Sequence, residues 1–89
     1  MHTVYVLYSR VGRKYYIGRT ADLERRIAQH NGEDAKGWTR RFQPWELRHA
    51  EEFTTRTEAL RREYYLKSLK NPERLRQYIS GWRSKHLQN

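Results

Sequence analysis

Four side chains on one short helical stretch carry the first hint of chemistry. Leu23, Arg26, Ile27 and His30 stand at i, i+3, i+4 and i+7, so the helix predicted from Asp22 to His30 presents them on one face. The leucine and isoleucine anchor that face. The arginine is a fixed cation, and the histidine is an imidazole that titrates near neutrality. Such a pair beside a core-facing stripe points to a site more than to a solvated surface. A carboxylate adds to it from further along the chain. The helix predicted from the Thr55 cap to about Lys70 carries an apolar stripe of Ala59, Leu60, Leu66 and Leu69, with Tyr64 at its margin. Glu63 falls inside that stripe, four residues after Ala59 and three before Leu66. A carboxylate turned toward a core is costly unless something positive pairs with it. An arginine such as Arg26 or Arg62 would serve, and so would a divalent metal ion.

These groups need elements to hold them. Thr3–Tyr8 is rich in β-branched and aromatic residues and reads as a strand. Ser9–Arg13 makes a turn, and Lys14–Gly18 returns as the second strand of an antiparallel hairpin. Period-2 alternation puts Tyr5 and Leu7 on one face, and Val4, Val6 and Tyr8 on the other. Tyr16 and Gly18 share a face opposite Tyr15 and Ile17, so Tyr5 and Tyr16 can lie side by side. Gly18 reads as the corner between strand and helix, where its backbone freedom is useful. Thr20 or Asp22 then caps the helix, and Asn31-Gly32 ends it. Glu33–Gln43, polar and basic around Trp38, reads as a loop with at most one helical turn. Pro44 and Trp45 lead into a third strand, Glu46–Phe53, and a proline there fits a sheet edge. Thr55-Arg56-Thr57-Glu58 has the form of a capping box. Asn71-Pro72 starts a last helix, Pro72 to about Arg83, with Leu75, Tyr78, Ile79 and Trp82 on one side. The expectation is one α+β (mixed α/β) domain spanning 1–89: a three-stranded antiparallel sheet flanked by helices, in the order β-β-α-β-α-α.

Composition narrows the partner. The chain has 89 residues and 36% hydrophobic content, so its core must be thin, with seven Tyr and three Trp compensating in part. The absence of cysteine excludes disulfides and thiolate metal sites. His2, His49 and His86 show no ligand spacing. No apolar run approaches a signal sequence or a membrane span, which predicts a soluble, cytoplasmic protein. The net charge is +9, and fourteen of the 19 basic residues are arginines, whose planar fork suits bidentate phosphate contact. A polyanion partner follows, nucleic acid before an anionic membrane.

At this point the chain resembles the GIY-YIG nuclease family. Tyr16-Ile17-Gly18 stands as the second half of the signature, while Thr3-Val4-Tyr5 keeps the tyrosine of the first half and loses its glycine. Thr20-x-Asp22-Leu23-x-Arg25-Arg26-x-x-x-His30-Asn31 is similar to the helix that follows, with Arg26 at the arginine position. Arg56-Thr57-Glu58-Ala59-Leu60-x-x-Glu63 resembles the segment with the metal-binding glutamate. Ala35-Lys36-x-Trp38-Thr39-Arg40 and then Pro44 resemble the small single-domain bacterial subgroup related to the amino-terminal domain of an excinuclease. A further histidine and a late asparagine of some homing members have no counterpart.

The resemblance implies a divalent-metal-dependent DNA endonuclease acting in repair or on structured DNA. Tyr5, Tyr16, Arg26, His30 and Glu63 would be its catalytic set. Glu63 would hold Mg²⁺ or Mn²⁺, a hard cation that favours oxygen ligands. Arg26 would grip the non-bridging phosphate oxygens. Tyr5 and Tyr16 would position the attacking water, one of them serving as general base, and His30 would orient a tyrosine or relay the proton. Arg19, Lys36, Arg40 and Arg41 would contact the DNA backbone. No appended module reads bases, so specificity would come from DNA shape or from a protein partner. The rival expectations are a non-catalytic nucleic-acid-binding module and a subunit that cuts only with its partner.

Overall fold

A computed structural model describes residues 1–87 of the chain. Its elements run β1 (His2–Ser9), β2 (Lys14–Thr20), α1 (Leu23–Asn31), α2 (Gly37–Arg41), β3 (Trp45–Phe53), α3 (Arg56–Ser68) and α4 (Pro72–Leu87). The sheet order is β2-β1-β3 with both pairings antiparallel, so β1 is central and β3 lies at an edge, as its leading proline predicts. The Gln43–Pro44 peptide is cis.

The alternation of β1 divides the core in two. Val4 and Val6 face α3 and α4, where they pack with Ala59, Leu66, Leu75 and Ile79. Tyr5 and Leu7 face the other way and pack with Trp45, joined by Tyr16, Leu23, Ile27 and Phe42. The register sets Tyr5 opposite Gly18 and Leu7 opposite Tyr16, which leaves the Tyr5 and Tyr16 rings diagonal neighbours with centroids 6.2 Å apart.

Capping follows the side chains that the sequence offers. Asp22 caps α1 by accepting from the Arg25 N–H at 3.1 Å. Thr55 caps α3 by accepting from the Glu58 N–H at 3.2 Å. Asn71 accepts from the Glu73 N–H at 2.8 Å at the start of α4.

Four details depart from the sequence reading. The segment read as a loop contains α2, so the order is β-β-α-α-β-α-α. The last helix continues past Arg83 to Leu87. Leu60 is exposed, and the stripe of α3 narrows to Ala59 and Leu66, with Leu69 at its edge. Gly18 is no corner, because β2 runs through it to Thr20. The glycine is needed for a different reason: a Cβ there would stand 2.6 Å from Tyr5 Cζ and 3.0 Å from Tyr16 Cε1.

Candidate active site

The site begins with Tyr5, completely buried in the middle of β1. Its hydroxyl ties β1 to α1 through two side chains. Arg26 Nε, from α1, donates to it at 3.3 Å, and His30 Nε2, one turn further along α1, lies 3.1 Å away. A buried phenolic proton needs an acceptor, and Nε2 is the one within reach; Tyr5 therefore donates to a neutral imidazole. The electrostatics agree with that assignment. Burial pushes the His30 pKa below its ordinary value, and the nearby Arg26 charge adds to this. Burial also pushes the Tyr5 hydroxyl above the ordinary phenol value, opposed by the Arg26 hydrogen bond, while the charges of Tyr16 and Glu63 push it further up. Tyr5 thus stays protonated and His30 unprotonated at neutral pH.

Arg26 is exposed, which suits a group that must meet a ligand. Its Nη1 donates to Gln29 Oε1 at 3.2 Å while its Nε holds Tyr5, and its own pKa is raised first by the Tyr5 hydrogen bond. Tyr16 is half-buried and packs edge-on to His30, with centroids 4.5 Å apart. Beside this group opens a groove of about 700 Å³ bounded by Tyr16, Arg25, Arg26, His30, Lys36 and Thr39. Its wall beyond α1 is held against β3. Trp45 exchanges hydrogen bonds with the Asn31 side chain, and Gln43 Nε2 donates to the carbonyls of His30 and Gly32 at 2.9 and 2.8 Å.

Glu63 stands on α3 outside the lining of this groove, beside Leu60, Arg61, Tyr64 and Lys67. Its carboxylate is largely buried, at 17% exposure, and takes Arg19 Nε at 3.4 Å and Lys67 Nζ at 2.9 Å. These partners replace the Arg26 or Arg62 that the sequence suggested. Arg62 turns away and pairs with Glu51 at 2.8 Å. Among the described residues no group of three or more His, Asp or Glu side chains could surround a metal. One oxygen-only carboxylate still fits a hard cation of the Mg²⁺ kind, which keeps several waters and takes further ligands from a bound phosphate.

The structure thus brings Tyr5, Tyr16, Arg26 and His30 together and sets Glu63 close enough for its charge to be felt at the Tyr5 hydroxyl. Of the expected backbone contacts, Lys36 lines the groove, and Arg40 and Arg41 lie exposed on α2. Arg19 is engaged by Glu63 instead. Sequence reasoning missed Arg25 and Gln29 in the groove. It also missed a buried network on the opposite face of the sheet. There Glu51 accepts from Tyr78 at 2.8 Å, lies 2.6 Å from His49 Nε2 and holds Arg62. The signal was available: His49, Glu51 and Phe53 alternate along β3 toward α3 and α4.

Two outcomes follow from this geometry. Gly18→Ala should displace both tyrosine rings, costing about 1–3 kcal/mol as overpacking does. Thermal unfolding reads it, and an unchanged melting temperature would contradict the packing described. The second concerns pH. A histidine whose folded pKa is depressed favours the unfolded state once that state takes up the proton. Stability from His30 is therefore complete above about pH 6.5 and falls as pH drops below that value. His30→Gln should flatten the acid limb of melting temperature against pH, and an unaltered limb would refute the neutral assignment.

A small α+β domain thus joins an exposed arginine to a buried tyrosine–histidine pair. Comparison with known proteins gives its family. The GIY-YIG catalytic domain matches residues 1–78. A UPF0213 protein of Halobacterium salinarum is 45% identical over 74 residues, covering 83% of this chain and 95% of that one. Another from Bacillus licheniformis is 43% identical, covering 82% of this chain and 76% of its own. The solution NMR structure of a UPF0213 protein from Bacillus halodurans superimposes with a TM-score of 0.57 at 33% identity, covering 89% of this chain and 82% of that one. The chain belongs to the GIY-YIG family of nuclease domains. No helix among the described residues is long and apolar enough to cross a membrane.

Proposed function

We propose that the protein is a divalent-metal-dependent DNA endonuclease that hydrolyses phosphodiester bonds in structured DNA, as in repair. The observation that carries this reading is the Tyr5 junction, where one hydroxyl meets both an exposed arginine and a neutral proton acceptor. Hydrolysis needs an aligned water, a sink for its proton and neutralisation of the growing charge on phosphorus. Arg26, exposed at the groove, turns toward the non-bridging oxygens. Tyr16, on the groove wall, orients the attacking water. As Arg26 turns, it uncovers the Tyr5 hydroxyl beneath it; Tyr5 then takes the water's proton as its own passes to His30 Nε2, so the hydroxide oxygen bonds to phosphorus while the bond to the leaving oxygen breaks. Glu63 would hold Mg²⁺ or Mn²⁺, which supplies charge neutralisation for the phosphate and the leaving oxygen. Lys36, Arg40 and Arg41 supply backbone attraction that weakens in salt.

The test is cleavage of labelled duplex, flap, fork and four-way-junction DNA with Mg²⁺, Mn²⁺ or EDTA. Metal-dependent cutting supports the reading and names the preferred structure. Binding with no cutting on any substrate would replace it with a binding module, or with a subunit that needs its partner.

A further inference from the structure

A second basic groove lies on the other side of the sheet, between α4 and the tip of the β1–β2 hairpin. It measures about 520 Å³ and is lined by Tyr15, Arg48, Arg76, Ser80, Arg83 and Ser84. We propose that this groove grips the phosphate backbone of a second DNA arm, one that does not pass through the candidate active site. That purpose rests on the nuclease reading above, while the binding itself does not.

The groove is assembled rather than a scatter of surface charge. Tyr15 lines it and packs on Tyr8, with ring centroids 4.8 Å apart. The Arg48 guanidinium lies over the Tyr8 ring at 4.7 Å, a cation–π seat that orients it. Tyr15 and Arg76 line the groove together, and the Tyr15 hydroxyl is the largest cause of that arginine's raised pKa. All three cations are arginines, the side chain matched to bidentate phosphate contact, and the Ser80 and Ser84 hydroxyls add donors between them. Arg76, Ser80, Arg83 and Ser84 stand at i, i+4, i+7 and i+8 on one line of α4. Arg76 and Arg83 are therefore about 10 Å apart along the helix axis, far enough to meet separate phosphates of one strand. Arg48 and Arg76 meet Glu46 and Glu73 at 2.9 and 3.0 Å. Those pairs are exposed and worth little, so phosphates can displace them.

Placement gives the groove its meaning. Ile79, on the α4 turn between Arg76 and Arg83, packs in the Val4–Val6 cluster, whereas Tyr5 and Tyr16 belong to the cluster on the opposite face. One straight duplex cannot follow both faces of a sheet. Two arms of a branched or sharply bent DNA can.

The experiment is fluorescence-anisotropy binding across a salt series, in a Glu63→Ala background so that no cutting intervenes. A four-way junction is compared with a linear duplex of equal length. Arg76→Ala with Arg83→Ala should weaken junction binding at least tenfold and make the slope of log K against log salt shallower by about 2, from two lost phosphate contacts. Linear-duplex affinity should fall less than threefold. Arg83→Glu alone, which leaves Arg76 and Tyr15 untouched, should shift junction affinity in the same direction. Equal losses on both substrates, or no loss on either, would overturn the proposal. Failure of the wild type to cut any DNA would sink the nuclease reading and leave this comparison standing.

Discussion

Glu63→Ala should reduce metal-dependent cleavage by at least a thousandfold, about 4 kcal/mol of transition-state stabilisation, while the fold survives. The reason lies in the unequal worth of what Glu63 touches. Its contacts to Arg19 and Lys67 are ion pairs whose cations are 27% and 56% exposed, so losing them costs no more than about 1 kcal/mol of stability. Its carboxylate is also the oxygen ligand through which the domain would hold a cation beside the phosphate. DNA binding then carries a diagnostic sign. In EDTA the variant should bind DNA at least as tightly as the wild type, because a negative charge facing the phosphates is gone and Arg19 and Lys67 are released to meet them. Cleavage within threefold of wild type would show that Glu63 is only an ion-pairing residue. Weaker binding in EDTA would show that it supports the groove structurally.

Much of this arrangement was legible in the sequence, and the reasons are physical. The hairpin alternation sorts Tyr5 and Tyr16 from Val4, Tyr15 and Ile17, because a strand's period of two leaves no freedom once one face is buried. Helical spacing sets Arg26 and His30 one turn apart, and one turn is the span needed for both to reach the same hydroxyl. The Thr55 and Asn71 caps were visible because their side-chain oxygens are the local solution for orphan amides. What escaped depends on distance through space. The pairing of Glu63 with Arg19 joins residues on β2 and α3 that no local pattern connects. The need for Gly18 comes from a ring on the neighbouring strand, and its position before a helix suggested a turn instead. The helix α2 contains only Gly37–Arg41 and begins at a glycine with φ of 59°, too short and too polar to show a period. Its Trp38 packs toward Trp45 and Phe42, with ring centroids 5.3 and 5.4 Å away, in keeping with a packing role.

The same division explains why a thin core suffices. The central strand is buried on both faces, so Val4 and Val6 serve one cluster while Tyr5 and Leu7 serve the other. A fully buried tyrosine can then take part in the fold and in the site together. Its ring fills the second cluster, and its hydroxyl ends at Arg26 and His30. The candidate site is consequently fixed at its base by packing and open at its rim, where Arg26 is exposed.

Arg26→Ala should remove turnover by a thousandfold or more and weaken DNA binding about tenfold, with the salt slope shallower by about 1. Arg26→Lys separates charge from shape. An ammonium keeps the attraction to phosphate and should restore most of the affinity. It cannot hold the Tyr5 hydroxyl and Gln29 at once, as the guanidinium does through Nε and Nη1. Turnover should therefore stay at least a hundredfold below wild type. The alanine variant adds a signature that loss of affinity alone would not give. The Arg26 charge helps to depress the His30 pKa; without it, His30 takes up a proton at higher pH. Any residual cleavage by Arg26→Ala should then begin to fail at a higher pH than cleavage by the wild type, because protonated Nε2 can no longer accept from Tyr5. Wild-type turnover by Arg26→Lys would reduce Arg26 to a point charge, and an unmoved acid limb in Arg26→Ala would uncouple His30 from the reaction.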